Sequence, residues 1–342
     1  MRIVLAVGQA VAVQLVTAGV LGFAGAPAAQ AASFDCGKAI SQVETAICAN
    51  PELSHADEVL ARAYATALGG LSDDAKAVVQ AGQREWLGFA GLACTKDAKP
   101  FGAALSEDQQ GCLVSVYRSR IGELAESRMQ GDWRVYPKTS YRLVDDPDPE
   151  VYQGVATKEI SSPRIDEDSQ AANAFNALME ASDLASQPDP KAEDYLSSDT
   201  MATTTVQSVN PHRISLMIDS YWMGHGAAHG NYAITYAHYL TDEGRMLAAD
   251  DLFTGPGWEE ALGKMALDEL DRTVDGGIWA ESRADVPKAA ADPSRWNLTD
   301  NGLEITFQPY EVTAYAAGAP TVTIGWKKLS EYLNADYSEI LY

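Results

Sequence analysis

The sequence predicts two unlike domains: a small all-α domain stapled by disulfides, then an α+β domain with a mainly antiparallel sheet. Three observations predict this. All four cysteines (Cys36, Cys48, Cys94 and Cys112) lie in the first third of the chain. Around them, apolar residues recur at helical spacing. Beyond about residue 150, apolar and polar residues alternate at period two between turn signals, as in strands. A chain of 342 residues can bury two separate cores.

The chain opens Met1-Arg2, runs through an apolar stretch from Ile3 to Gly25, and reaches Pro27 and Ala29-Gln30-Ala31. One positive charge, an apolar segment and an Ala-x-Ala site describe a cleavable secretory signal over 1–31. An uncleaved anchor is the alternative, since the run is long enough to span a bilayer; the small residues at its end point to cleavage. The mature chain is expected to be periplasmic or secreted and free of the membrane. In that setting an even cysteine count implies disulfides. Four cysteines allow three connectivities; closeness along the chain points to Cys36–Cys48 and Cys94–Cys112. No CxxC pair is present, which argues against a zinc or redox role.

The formal charge is -23, from 48 acidic and 25 basic residues. Residues 33–128 carry 13 acids and 9 bases, whereas 129–342 carry 35 and 15. The acidity therefore belongs to the second part. Such a field repels nucleic acid and anionic lipid and draws cationic partners, although solubility alone also explains it.

Residues 32–128 read as the helical domain. Ser41-Gln42-Val43-Glu44 is a capping box opening a short helix to Cys48, and Asn50-Pro51 ends it. A second helix begins near Ser54, with Ala56, Val59, Leu60, Ala63, Tyr64, Ala67 and Leu68 on one stripe. Gly69-Gly70 stops it. Ser72 opens a third helix through Val79, Trp86 and Phe89. Ser106 with Gln109 is a second capping box, and Leu113, Val116, Tyr117, Ile121 and Leu124 give the last helix its buried face.

Within this domain Phe34-Asp35-Cys36-x-Lys38-Ala39, Val43-Glu44-x-Ala46-Ile47-Cys48, Pro51-x-Leu53 and Asp57-x-x-Leu60-x-x-x-Tyr64 appear in order. Gln83-Arg84-x-Trp86-Leu87, Cys94, Cys112-Leu113 and Tyr117-x-x-Arg120-Ile121-x-x-Leu124 follow. This arrangement resembles the LprI-type domain, a family named for a lysozyme inhibitor. The resemblance implies a lysozyme-binding module. Trp86, Tyr64 and Tyr117 read as core anchors within it.

Residues 129–149 hold Gly131, Pro137 and Asp145-Asp146-Pro147-Asp148-Pro149, and read as a surface linker. Trp133-Arg134-Val135-Tyr136 within it has the composition of a strand of the next domain. From 150 to 342 the α+β domain follows, as a small strand–helix segment over 150–210 and a main segment over 211–342. Val151 to Ile160 is strand-like, and Pro163 leads into a helix over Ala171–Ser182. Thr200 to Val209 is rich in β-formers. Ile214, Leu216, Ile218, Ser220 and Trp222 share one parity, and so do Tyr232, Ile234, Tyr236, His238 and Leu240; each run offers one apolar face to a core. After a turn at Asp242-Glu243-Gly244, a helix carries Trp258, Leu262, Met265, Ala266 and Leu270. Leu303, Ile305 and Phe307 alternate, and Val322, Ile324 and Trp326 form the last strand. Hairpins with interspersed helices make this α+β.

Gly226-Ala227-Ala228-His229-Gly230 with Leu247-x-x-x-Asp251-Leu252-Phe253 forms one further pattern. Leu298-Thr299-x-x-Gly302-Leu303-x-Ile305-x-Phe307-x-x-Tyr310-Glu311-Val312 with Tyr315-Ala316-x-Gly318 forms another. Together they resemble the extracellular domain of RsiV-type anti-sigma factors, in which this region binds lysozyme. The sequence lacks a sigma-binding segment, so direct transmembrane signalling is not expected.

The stretch Tyr221–Gly230 joins two strand-like runs as a glycine-rich hairpin loop. His225-x-x-x-His229 has the spacing used by zincin metal sites, but Gly226 replaces the glutamate that chemistry needs and the flanks are not helical. His229 reads as a loop-shaping residue, and His225 as the better exposed contact. No nucleophile elbow or spare cysteine is present. The expected function is therefore non-enzymatic, without cofactor or metal: an exported protein that binds lysozyme or a similar cationic muramidase, inhibiting or sensing it. Candidate contacts are Tyr221, Trp222, His225, His229, Asn231, Tyr310 and Tyr315. A peptidoglycan-fragment module, stacking sugars on Tyr221, Trp222, Tyr232 and Tyr236, is the alternative; a metal-dependent hydrolase built on His225 and His229 is the second.

Overall fold

A computed structural model describes residues 32–95, 104–147, 154–181 and 196–342. The proposed signal segment 1–31 lies outside the described residues. Four helices come first: α1 (Gln42–Ala49), α2 (Pro51–Ala67), α3 (Asp73–Ala93) and α4 (Glu107–Ala125). Both capping boxes form. Ser41 Oγ accepts from the Glu44 backbone at 3.1 Å while Glu44 accepts from the Ser41 backbone at 2.8 Å. Ser106 and Gln109 reciprocate at 3.2 and 2.9 Å. Helix α2 starts three residues before its expected position. Asn50 ends α1 and also caps α2, its Oδ1 accepting from Glu52 and Leu53 at 2.9 and 3.1 Å. Pro51 then takes the first helical position, where a missing N–H costs nothing. Disulfides join Cys36 to Cys48 and Cys94 to Cys112, with Cα separations of 5.8 and 5.7 Å.

A seven-stranded sheet follows in the order β1 to β7: Arg128–Gln130, Trp133–Asp145, Val155–Ile165, Ser198–Asn210, Arg213–Gly224, Asn231–Leu240 and Arg245–Met246. All neighbours are antiparallel except β3 and β4, which run parallel around the crossover helix α5 (Gln170–Ala181). A second sheet orders β10 (Thr321–Ile324), β9 (Gly302–Thr306) and β8 (Trp296–Thr299). It shares a core with the Trp258–Thr273 helix, in which Leu262, Ala266, Leu270, Trp296, Ile305 and Phe307 are fully buried. Trp326, expected to end the last strand, instead opens the Trp326–Leu329 helix and donates its indole N–H to the Thr299 carbonyl at 2.8 Å.

Most of the stretch read as a linker is strand, in β1 and β2. Tyr136 and Tyr141 of β2 enter the core of the helical region, so the described residues pack as one unit. Arg120, 1 % exposed, ties the regions together. Its guanidinium donates to Gln83 on α3, Glu123 on α4, and Thr139 and Tyr141 on β2, at 3.0 to 3.1 Å. Gly82 permits the approach, because a β-carbon there would clash with the Thr139 hydroxyl. Pro137 and Pro163, opposite each other on β2 and β3, sit where β1 and β4 no longer pair with those strands. Their missing donors therefore cost no bond to an outer neighbour.

The β5–β6 register corrects one expectation. Ile214, Leu216 and Ile218 are buried against Phe175 of α5, as their parity predicts. Directly opposite them lie Tyr239, Ala237 and Thr235. Tyr232, Ile234 and Tyr236 pair with Tyr221, Asp219 and Met217, on the other face, and are only half-buried. Alternation reveals a strand's two faces; only the register says which one meets which core.

Candidate binding site

The hairpin loop sorts its two histidines into opposite environments. The His225 side chain is 2 % exposed, so the expected exposed contact is a buried one. Its Nδ1 bonds to Asp146, whose side chain is fully buried, and its Nε2 lies 3.3 Å from Asp199. Asp199 also accepts from the Thr157 backbone and hydroxyl, both at 2.8 Å. The His225 N–H donates to Ser197 at 2.8 Å. His225 thus fastens the base of the loop to the ends of β2, β3 and β4. Asp146, Asp199 and the buried Lys158, which bonds to Ser198, form this anchor. Burial lowers the Lys158 pKa against the pull of Asp199. Residues 79 and 26 positions from His225 carry no local sequence signal of this contact.

His229 goes the other way. It is exposed, and its ring stacks on Tyr315 with centroids 4.5 Å apart. Tyr310 stacks on Tyr315 at 5.3 Å and its hydroxyl meets His229 Nε2 at 3.1 Å. Tyr232 meets Tyr315 edge-on at 6.1 Å. The structure therefore builds one aromatic ledge from two segments some 80 residues apart. His229 Nδ1 turns back to the Gly230 carbonyl at 2.8 Å, which fixes the ring. Tyr310 is 48 % exposed and holds φ at +67°, the sole positive-φ residue other than glycine among the described residues. An L-residue there costs about 1–2 kcal/mol, so the surroundings hold the backbone in place.

Gln308, which the sequence did not mark, supplies that hold. Its side-chain amide accepts from the Ile234 N–H at 3.0 Å and donates to the Ile234 carbonyl at 2.7 Å. It thereby covers the part of the β6 edge that β7 leaves open, since β7 pairs only at Tyr239 and Leu240. Glu311 accepts from the Gln308 backbone at 2.7 Å and pairs with Arg295 at 2.6 Å. Tyr221, 38 % exposed, extends the surface from β5. Its ring occupies the space that any side chain at Gly230 would need. Asn231 is exposed at the start of β6, opposite Trp222. Trp222, 40 % exposed, lies on the α5 side of the sheet and packs over Gly224, away from the ledge. Of the seven candidates, His229, Tyr310 and Tyr315 come together, Tyr221 and Asn231 flank them, and His225 and Trp222 do not join. His225 and His229 each have separate partners and share no site.

Residues 35–124 match the family described as lysozyme inhibitor LprI. The chain carries an LprI domain. Residues 250–327 match the family DUF3298, a protein family of unknown function whose domain RsiV-like proteins carry at the C-terminus. The LprI domain corresponds to α1–α4 with both disulfides; the DUF3298 domain holds Tyr310 and Tyr315 but begins after His229. Among solved structures, a DUF3298 family member from Bacteroides fragilis NCTC 9343 is similar at 16 % identity and TM-score 0.48, covering 62 % of this chain and 99 % of that one. A DUF3298 family protein from Pseudomonas aeruginosa PAO1 is similar at 15 % identity and TM-score 0.45, covering 62 % and 98 %. A search of curated proteins finds no match. Neither family description names an enzyme.

Proposed function

We propose that this is an exported binding protein for lysozyme or a similarly cationic muramidase, which it inhibits or senses without a covalent step. The observation that carries the reading is the LprI domain with its two disulfides. No described helix is long and apolar enough to cross a membrane, which agrees with a periplasmic or secreted protein. The ledge of His229, Tyr310 and Tyr315 supplies a contact surface in the acidic part of the chain. Exposed aromatic rings held rigid lose little conformational entropy on binding, and such residues commonly anchor interfaces. The acidic field would speed encounter with a basic enzyme.

The test is titration of purified protein lacking residues 1–31 against several lysozyme classes, read by affinity and by loss of cell-wall lysis. Binding should weaken with salt, and His229→Ala combined with Tyr315→Ala should weaken it by about tenfold or more. A protein that neither binds nor inhibits any lysozyme at micromolar concentration defeats the reading. Retention of muropeptides by Tyr221 and its neighbours would instead favour a peptidoglycan-fragment module.

A further inference from the structure

A cleft of about 310 Å³ lies between α4 and the face of the sheet away from α5. This is the lower end of the size range of small-ligand sites, about 300–1,000 Å³, and suits one side chain better than a folded surface. Met201, Met217 and Pro137 give it apolar walls, and Thr203 and Thr205 add hydroxyls. Asp219 reaches it from the middle of β5, opposite Thr203 on β4.

The charges around the cleft are unequally matched. Arg118 on its rim pairs with Glu52 at 2.7 Å. Glu123 is held by Arg120 at 3.0 Å, and Glu126 by Arg128 at 3.1 Å. The Asp219 side chain has no hydrogen bond or ion pair among the described residues. Burial raises its pKa and no neighbouring cation offsets the shift. A carboxylate kept half-buried without a partner is costly unless something else completes it.

We propose that this cleft receives an arginine side chain of a basic partner protein, its methylene stem between Met201 and Met217 and its guanidinium on the Asp219 carboxylate. Arginine fits better than lysine because its planar guanidinium is weakly hydrated and offers several donors, enough for the carboxylate and the Thr203 hydroxyl together. The net charge of -23 selects a basic partner over a second copy of this chain. The inference does not rest on the lysozyme reading.

The probe is Nα-acetyl-arginine methylamide, titrated into the protein with 13C-labelled methionine methyls. Met201 and Met217 resonances, assigned by Met→Leu variants, should shift saturably in the millimolar range. Nα-acetyl-citrulline methylamide has the same shape without the charge and should bind at least about tenfold more weakly. Asp219→Asn should give the same loss for the arginine probe. That variant removes a charge that burial disfavours, so its melting temperature at neutral pH should match or exceed that of the original. In the unaltered protein, arginine binding should also fade as pH drops through the raised Asp219 pKa, because the guanidinium stays charged. Equal affinity for citrulline, or unchanged affinity in Asp219→Asn, overturns the proposal. A single amino-acid probe keeps this outcome separate from the lysozyme assay.

Discussion

The base and the tip of the β5–β6 hairpin use the same residue type to opposite ends. At the base His225 is sealed between two carboxylates, and further along β6 His238 is buried with Nδ1 on Ser215 at 2.9 Å and Nε2 on the Trp296 carbonyl at 2.8 Å. At the tip, His229 is exposed and stacked on tyrosines. The buried pair ties the hairpin to the rest of the fold, whereas His229 leaves its ring face available. A histidine's role here follows from what surrounds it across the sheet, which the spacing of His225 and His229 does not report.

The largest effect expected from breaking this contrast concerns His238. Burial, with a smaller contribution from Arg213, lowers its pKa to about 4 against the opposing bond to Trp296. The unfolded chain binds this proton near pH 6.5 and the folded one does not. The His238 contribution to stability should therefore fall as pH drops from about 6.5 to about 4, by about 3 kcal/mol, and level off below. Glu159 acts in the other direction. Burial, then Glu123 and Asp199, push its pKa up to about 7, so its share of stability is lost as pH rises from about 4.5 to 7. Urea denaturation of His238→Gln against the unaltered protein isolates the histidine: the difference between them should shrink as pH falls. A pH-independent difference would place the titration elsewhere.

A smaller loss, about 2 kcal/mol, is expected for His225→Ala, which takes a hydrogen-bond partner from the buried Asp146. Amide exchange should rise in the Gly224–Gly230 loop, while the ledge residues of 308–318 keep their protection. Loss of protection in both segments would show that base and tip are one unit. The smallest effects belong to the tip. His229→Ala should cost under about 1 kcal/mol, since an aromatic pair contributes about 0.5–1.5 kcal/mol when fully formed. Tyr310→Gly should be more stable than Tyr310→Ala by about 1 kcal/mol, because glycine accepts φ of +67° without strain. Equal melting points for the two would mean that the backbone relaxes once the ring is gone.

Much of the helical region was legible because its signals are local. Ser41 with Glu44, Ser106 with Gln109, and the cysteine spacings each act within one turn or one short loop. The strands were legible as strands, but their faces were not. Tyr232, Ile234 and Tyr236 look like a core stripe until β5 pairs with them and turns them to the opposite side from Ile218. Of the candidate site, Tyr310, Tyr315 and His229 were singled out as separate residues. They meet beside the point where Gln308 bonds to the β6 edge, a contact across 74 residues with no local sequence signature.

The sequence alone determined the two capping boxes that open helices, that four cysteines would form two disulfides, which residues alternate along each strand, and how the negative charge divides along the chain. These depend on neighbours a few residues apart. Tertiary structure alone decided that β2 completes the core of the helical region through Tyr136, Tyr141 and Arg120, that His225 is buried and His229 exposed, and that Asp219 faces a cleft without a partner. Those outcomes depend on strand register and on which distant surfaces meet. A one-residue change of register would exchange the two faces of β6 while leaving its alternating pattern untouched.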